Sequence, residues 1–275
     1  MLKKIIKRLV FLSVLGWFLF CAAVYIYPQM FFYHPDSNKA LIENANINHF
    51  PAKEVTYVSS DGVELYGWYV APKNKNKVIV YFHGNSYNLE AFYHKMIPLS
   101  EAGYGILMAE YRGFGGIKGK ITQKGFENDA LAAINYLHAQ GWKNKDIIIY
   151  GMSLGSYMAT YTAYQEGRDE NFAALILEVP FDSLLNVVKQ RMWPVFPFKF
   201  LIQDSYDNLP MISQISSPIL IMAASKDKTV PIERARALFA AAQNPKDFIV
   251  YVGAGHSSLY NHRNWRDVLE WLQKK

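Results

Sequence analysis

"IIIYGMSLGSYMAT", residues 147–160, opens as an unbroken apolar run. It reaches Gly151-Met152-Ser153-Leu154-Gly155 and then continues at helical spacing. A short apolar run bounded by a turn reads as a buried strand, and the periodic tail reads as a helix. A serine between two glycines at that junction has two readings. One is a glycine-rich turn in which the serine caps the helix. The other is a strained strand–turn–helix, where small neighbours let strand and helix approach and the hydroxyl stands out at a sheet rim.

The segments around it decide the architecture. Further strand-like runs lie at 78–82, 104–110, 146–151, 173–179, 219–224 and 247–252. Between them, helix-like segments occupy 89–102, 124–140, 154–166, 232–242 and 264–274. Thr122 fits an N-cap and Gly141 a C-cap. Residues 53–72 alternate around Asp61-Gly62 as a β-hairpin, after a polar linker at about 38–51. Near-continuous apolar strands alternating with helices imply a buried, mostly parallel sheet. The expected class is α/β: eight strands with helices on both faces. There is no internal repeat. Residues 181–217 break the rhythm with Trp193, Pro194, Phe196, Pro197, Phe198 and Phe200. Ligands of such sheets sit beyond the carboxyl ends of the strands. This insertion is expected to lie there as a short cap, although a helical excursion packed elsewhere has the same pattern.

Apolar residues make up 51% of the 275-residue chain, enough for a sizeable core. The net charge is +6, but Lys3, Lys4, Lys7 and Arg8 crowd the start, leaving about +2 for the rest. Nucleic acid is not an expected partner. The single cysteine, Cys21, excludes an internal disulfide and a cysteine-based metal site. Residues 9–27 carry no charge. As a helix they rise about 28 Å, close to the roughly 30 Å hydrocarbon core of a bilayer. Leading cations place the N-terminus in the cytoplasm and the body on the exported side. The competing reading is a cleaved signal peptide. Cys21-Ala22-Ala23 is a poor cleavage site, and Phe20 before Cys21 does not fit a lipoprotein. The division expected is an anchor over 1–30 and a single domain over 31–275, with the anchor a tether separate from the site.

A serine hydroxyl is a poor nucleophile at neutral pH and needs a base. Of seven histidines, His256 in "GAGHSS" follows the last strand on a glycine-rich loop. His34, His49, His94, His138 and His262 fall in the linker or on helices, where surface or packing roles are the default. The base needs a carboxylate to orient it. Asp227 in "SKDKTVP" lies just past the preceding strand; Asp182 in "EVPFDS" is its rival, and Asp204 and Asp207 are weaker. An oxyanion needs backbone N–H groups, and "VIVYFHGNS" ends a strand in a turn at Gly84. The amides of Asn85 and Leu154 are the expected pair, with His83 supporting the loop.

In order and spacing, "YFHGNS", "AEYRGFGG", "GMSLGS", "EVPFDS", "SKDKTVP" and "GAGHSS" resemble the α/β-hydrolase serine hydrolases. The likeness runs from about Phe32 to the C-terminus. It is greatest to the branch with an N-terminal transmembrane anchor, which includes the α/β-hydrolase domain-containing proteins. The resemblance implies an α/β-hydrolase fold and a catalytic set of Ser153, His256 and Asp227. It implies hydrolysis of an ester or thioester through an acyl-enzyme, with no metal or organic cofactor. Two positions depart from the group: Glu110 stands where an aspartate is usual, and Tyr87 is bulkier than usual near the oxyanion site. Glu110 and Arg112 are expected to form an ion pair or to anchor loops. Tyr87, Trp193 and Phe196 are expected to touch an acyl or lipid-like substrate held at the membrane. An amidase or peptidase on the same residues, and a non-catalytic scaffold, remain the alternatives.

Overall fold

The computed structural model describes residues 1–47, 49–191 and 196–275. The apolar runs form eight strands: β1 (Lys53–Val58), β2 (Glu64–Val70), β3 (Val78–Phe82), β4 (Gly105–Ala109), β5 (Ile147–Met152), β6 (Ala174–Glu178), β7 (Ile219–Ala224) and β8 (Lys246–Tyr251). They make one sheet in the order β8-β7-β6-β5-β3-β4-β2-β1. β2 is antiparallel to both its neighbours, β1 and β4, and every other pair is parallel. This is the α/β-hydrolase architecture expected from the alternation of runs and helices.

The strands are apolar throughout because both faces are covered. Along β5, Ile148, Tyr150 and Met152 face the cluster that contains α2 (Tyr93–Glu101) and α7 (Asn264–Leu272). Ile147 and Ile149 face the opposite cluster, with α3 (Gln123–Ala139), α4 (Leu154–Glu166) and α6 (Ile232–Ala241). Each such side chain contributes roughly 1.5–3 kcal/mol by leaving water. Thr122 starts α3 as expected: its hydroxyl accepts from Gly125 N at 3.0 Å. Gly141, at φ +90°, lies just beyond the end of α3.

Three local readings change. Residues 38–51 are not a free linker: Ile42–Ile47 forms a short helix, and Ala40, Ala45 and Phe50 are buried beside Trp68 and Leu89. Too few apolar residues recur there to give a period. The helix expected at 89–102 is split, because the Asn88 side chain caps a separate turn at Leu89–Ala91 before α2 begins. The third change concerns the N-terminus. α1 (Leu2–Ile26) is long and apolar enough to cross a membrane. Its last turns are nevertheless not a bare tether. Cys21 and Val24 are buried with Val188, Phe198, Leu201 and Ile202 of the 181–217 insertion. That insertion carries α5 (Leu184–Arg191) and two single-turn helices, Phe198–Leu201 and Leu209–Ile212.

Candidate active site

Ser153 sits between β5 and α4 at φ +52°, ψ −116°, a left-handed conformation that costs a non-glycine residue about 1–3 kcal/mol. The flanking glycines permit it. A Cβ on Gly155 would stand 2.0 Å from Phe82 O, and one on Gly151 would stand 2.3 Å from Gly155 O. The result is a sharp elbow that presents the hydroxyl at the carboxyl end of the sheet and the N-terminus of α4. There the helix end supplies positive potential. The N-cap reading fails, because the Ser153 side chain makes no capping bond.

His256 Nε2 lies 2.9 Å from Ser153 Oγ, and His256 Nδ1 lies 2.7 Å from Asp227 Oδ2. A carboxylate only accepts, so Nδ1 carries the proton, and in the neutral ring Nε2 is left to accept from the hydroxyl. Asp227 is held in turn: its Oδ1 accepts from the amides of Thr229 (2.7 Å) and Val230 (2.8 Å). The two loops are tied together by Lys226 N to Ala254 O (2.8 Å) and Gly253 N to Ser225 Oγ (2.8 Å). Asp182, the rival acid, is engaged elsewhere with Asn186 (2.9 Å) and Arg234 (3.0 Å).

The turn after β3 packs against the elbow, since a Cβ on Gly84 would stand 3.6 Å from Ser153 Cβ. Among the described residues neither the Asn85 amide nor the Leu154 amide donates to an acceptor within the chain. His83 holds the turn from below. Its Nε2 is 2.8 Å from Glu110 Oε1, its ring stacks on Tyr111 at 4.2 Å, and Glu110 Oε2 accepts from Leu89 N. Glu110 and Arg112 therefore anchor loops separately. Arg112 pairs with Asp61 and Asp129, each at 2.6 Å. Hydrogen bonds from the guanidinium hold the Asp61 carboxyl well below the usual range, whereas burial pushes Asp129 up against the same cation.

A cavity of about 750 Å³ opens over Ser153. Its lining mixes apolar side chains, among them Phe31, Phe32, Leu184, Val187 and Val188, with the polar Ser86, His94 and Lys95. Tyr87 is at its rim, largely exposed. Phe196 is not among the lining residues. It packs instead on Trp17 and Phe20 of α1, whose rings offer it aromatic partners. Trp193 lies outside the described residues.

Sequence reasoning missed Phe31, Phe32, His94 and Lys95. Only their neighbours in space give them a role, and no local pattern marks them. His94 is half-buried, and burial, with the Lys95 charge adding to it, lowers its pKa. Lys95 Nζ donates to Glu178 Oε1 at 2.6 Å, and Tyr150 OH and Asn264 Nδ2 donate to Glu178 Oε2. A lysine inside an otherwise amphipathic helix gives no warning of a buried partner 83 positions away.

The sequence profile described as the prolyl oligopeptidase family matches residues 90–275. The uncharacterized protein Rv2307c of Mycobacterium tuberculosis is 31% identical over 208 residues, covering 74% of this chain and 72% of that protein. In structure, the chain is similar to the Pyrococcus furiosus esterase Pf2001, with a TM-score of 0.69 and 18% identity over 88% of this chain and 98% of that one. It is also similar to a Pyrococcus horikoshii acylaminoacyl peptidase, with a TM-score of 0.65 and 19% identity over 82% of this chain and 41% of that one.

Proposed function

This chain belongs to the prolyl oligopeptidase family within the α/β-hydrolase superfamily, and from that premise we propose that it is a membrane-anchored serine hydrolase cleaving carboxylic esters or thioesters of acyl or lipid-like character. The observation that carries the reading is the unbroken contact from Ser153 Oγ through His256 to Asp227 at a strained elbow.

Ser153 Oγ attacks the carbonyl carbon while its proton passes to His256 Nε2. Asp227 keeps the ring oriented and stabilises the imidazolium. The tetrahedral oxyanion is met by the amides of Asn85 and Leu154, each such donor being worth roughly 2.7–4 kcal/mol. The intermediate collapses as His256 gives its proton to the leaving oxygen or sulfur, and an acyl-Ser153 remains. A water deprotonated by His256 attacks that acyl group and returns the serine. The apolar lining residues suit an acyl chain, and Ser86 and His94 suit a polar leaving group. α1 serves as the anchor (residues 1–30) and residues 31–275 form the hydrolase domain. The leading cations put the catalytic body on the exported side.

A second reading, amide or peptide hydrolysis by the same residues, is favoured by the name of the family and by the acylaminoacyl peptidase neighbour. Purified full-length protein treated with a fluorophosphonate probe, then assayed on matched acyl esters and acyl amides, tests both. The expected result is labelling that Ser153→Ala abolishes and turnover that favours the ester. Faster amide turnover would select the second reading, and folded protein that fails to label would overturn both.

A further inference from the structure

The apolar end of α1 and the cap share one hydrophobic cluster, and this fixes where the cap stands relative to the helix. Trp17 stacks on Phe196 with centroids 6.4 Å apart, and Phe20 lies 5.0 Å from the same ring. Cys21 and Val24 bury against Val188, Phe198 and Leu201. Measured along the helix, Val24, Cys21 and Trp17 lie about 5, 9 and 15 Å before Tyr27. Tyr27 caps the C-terminal end of α1, and the nineteen residues from Leu9 to it, about 28 Å as a helix, nearly fill a hydrocarbon core of roughly 30 Å. With α1 as a membrane span, a cap in contact with Trp17 and Cys21 would stand inside the leaflet that α1 leaves, not above it.

The surface around this contact fits such a setting. Phe200 is 76% exposed and Met30 is 72% exposed. Phe200 shares its single turn with Phe198 and Leu201, which are buried in the cluster with α1. Lys189, Arg191 and Lys199 of the insertion have aliphatic stems that let their charges reach the headgroups. The cavity shares residues with this contact. Phe31 lines it, is 40% exposed, and touches Phe20 edge-on at 5.7 Å. Leu184 and Val188 line it from the cap side while packing in the cluster with α1.

We propose that the cap is seated within the leaflet that α1 leaves, with Phe196 reaching toward the inner limit of that leaflet, and that an acyl-bearing lipid passes from that leaflet sideways into the cavity between Phe31 and the cap. This rests on the reading of α1 as a membrane span and of Ser153 as the nucleophile. The partner is the bilayer itself, and the substrate class is a lipid ester that never leaves it.

The test uses full-length protein in phosphatidylcholine–phosphatidylglycerol vesicles on a Cys21→Ala background. Nitroxide labels are placed at Leu12→Cys, Phe200→Cys and Val252→Cys, three exposed positions, and their collisions with oxygen and with a water-soluble nickel chelate are compared. The expected result is oxygen preference at Leu12 and Phe200 and chelate preference at Val252. Oxygen preference at Leu12 with chelate preference at Phe200 overturns the proposal while α1 stands as a span. Chelate preference at both sinks the span and the proposal together. In the second measurement, Phe200→Asp should slow turnover of a vesicle-borne long-chain ester about tenfold or more, leaving a soluble short ester within about twofold. Equal losses on both substrates overturn lateral access. The label depths do not depend on catalysis, so an inactive protein with Phe200 at oxygen-rich depth would refute the hydrolase reading and with it the entry of a substrate, while the seating of the cap would stand.

Discussion

At Ser153 the strain of a left-handed serine is held by neighbours that admit no side chain. Gly155→Ala should therefore do more than the usual alanine change in a helix. Its Cβ would lie 2.0 Å from a backbone oxygen of β3, so the strand and α4 must separate. The expected outcome is a large drop in melting temperature or no folded protein, read by circular dichroism in detergent. Ser153→Ala and His256→Ala should each lower ester turnover by roughly 10⁴- to 10⁶-fold, and the double variant scarcely further, because the residues act as a unit. Additive losses would mean that they do not. Asp227→Asn should cost about 10⁴-fold by favouring the wrong imidazole tautomer. These residues were legible in the sequence because each role attaches to a short pattern at a strand end: Gly-x-Ser-x-Gly, an aspartate after β7, a histidine on a glycine-rich loop after β8. Lys95, His94 and Phe31 were not, since their place at the cavity follows only from how α2 and the 31–35 segment lie across the sheet rim.

Between elements, the buried carboxylate of Glu178 is a fastening. It takes Lys95 of α2, Tyr150 of β5 and Asn264 at the start of α7, and its backbone oxygen accepts from Ser153 N at 2.9 Å. Lys95→Met removes one member and leaves a buried charge without its cation, which costs roughly 3–5 kcal/mol. Adding Glu178→Met to that variant should recover part of the loss, and failure to recover would assign the cost to packing. A second fastening, Arg112 with Asp61 and Asp129, joins the β1–β2 turn to α3 and is sensitive to pH. The folded-state pKa of Asp61 is depressed, so its stabilisation is present above the unfolded value of about 3.9 and disappears as pH falls through the folded value. The melting-temperature gap between wild type and Asp61→Asn should be open at pH 7 and close in strong acid. The strands and main helices were readable because two buried faces demand continuous apolar runs and α3 shows its cap at Thr122. The split before α2 and the short helix at Ile42–Ile47 were not, because a few residues give no period and tertiary burial of Ala45 and Phe50 decides their conformation.

Taken as one molecule, the anchor and the hydrolase domain are packed together, because part of the cavity lining is also the surface on which α1 rests. Val188 belongs to both. A chain beginning at residue 28 would lose the packing of Trp17, Phe20, Cys21 and Val24 against Val188, Phe198, Leu201 and Ile202. With the loss of packing around one buried apolar side chain costing roughly 2–5 kcal/mol, the change amounts to several kcal/mol. For a domain of this size each kcal/mol moves the melting temperature by about 2–4 °C, so the truncated protein should melt on the order of 10 °C lower. Its turnover of a small soluble ester should also fall, because Leu184 and Val188 lose the support that holds the cavity wall. Differential scanning calorimetry and ester assays on both forms in the same detergent decide the matter. An unchanged melting temperature with unchanged turnover would return α1 to the role of a tether, and the cap would then keep its shape through Leu184, Tyr206 and the core beneath it.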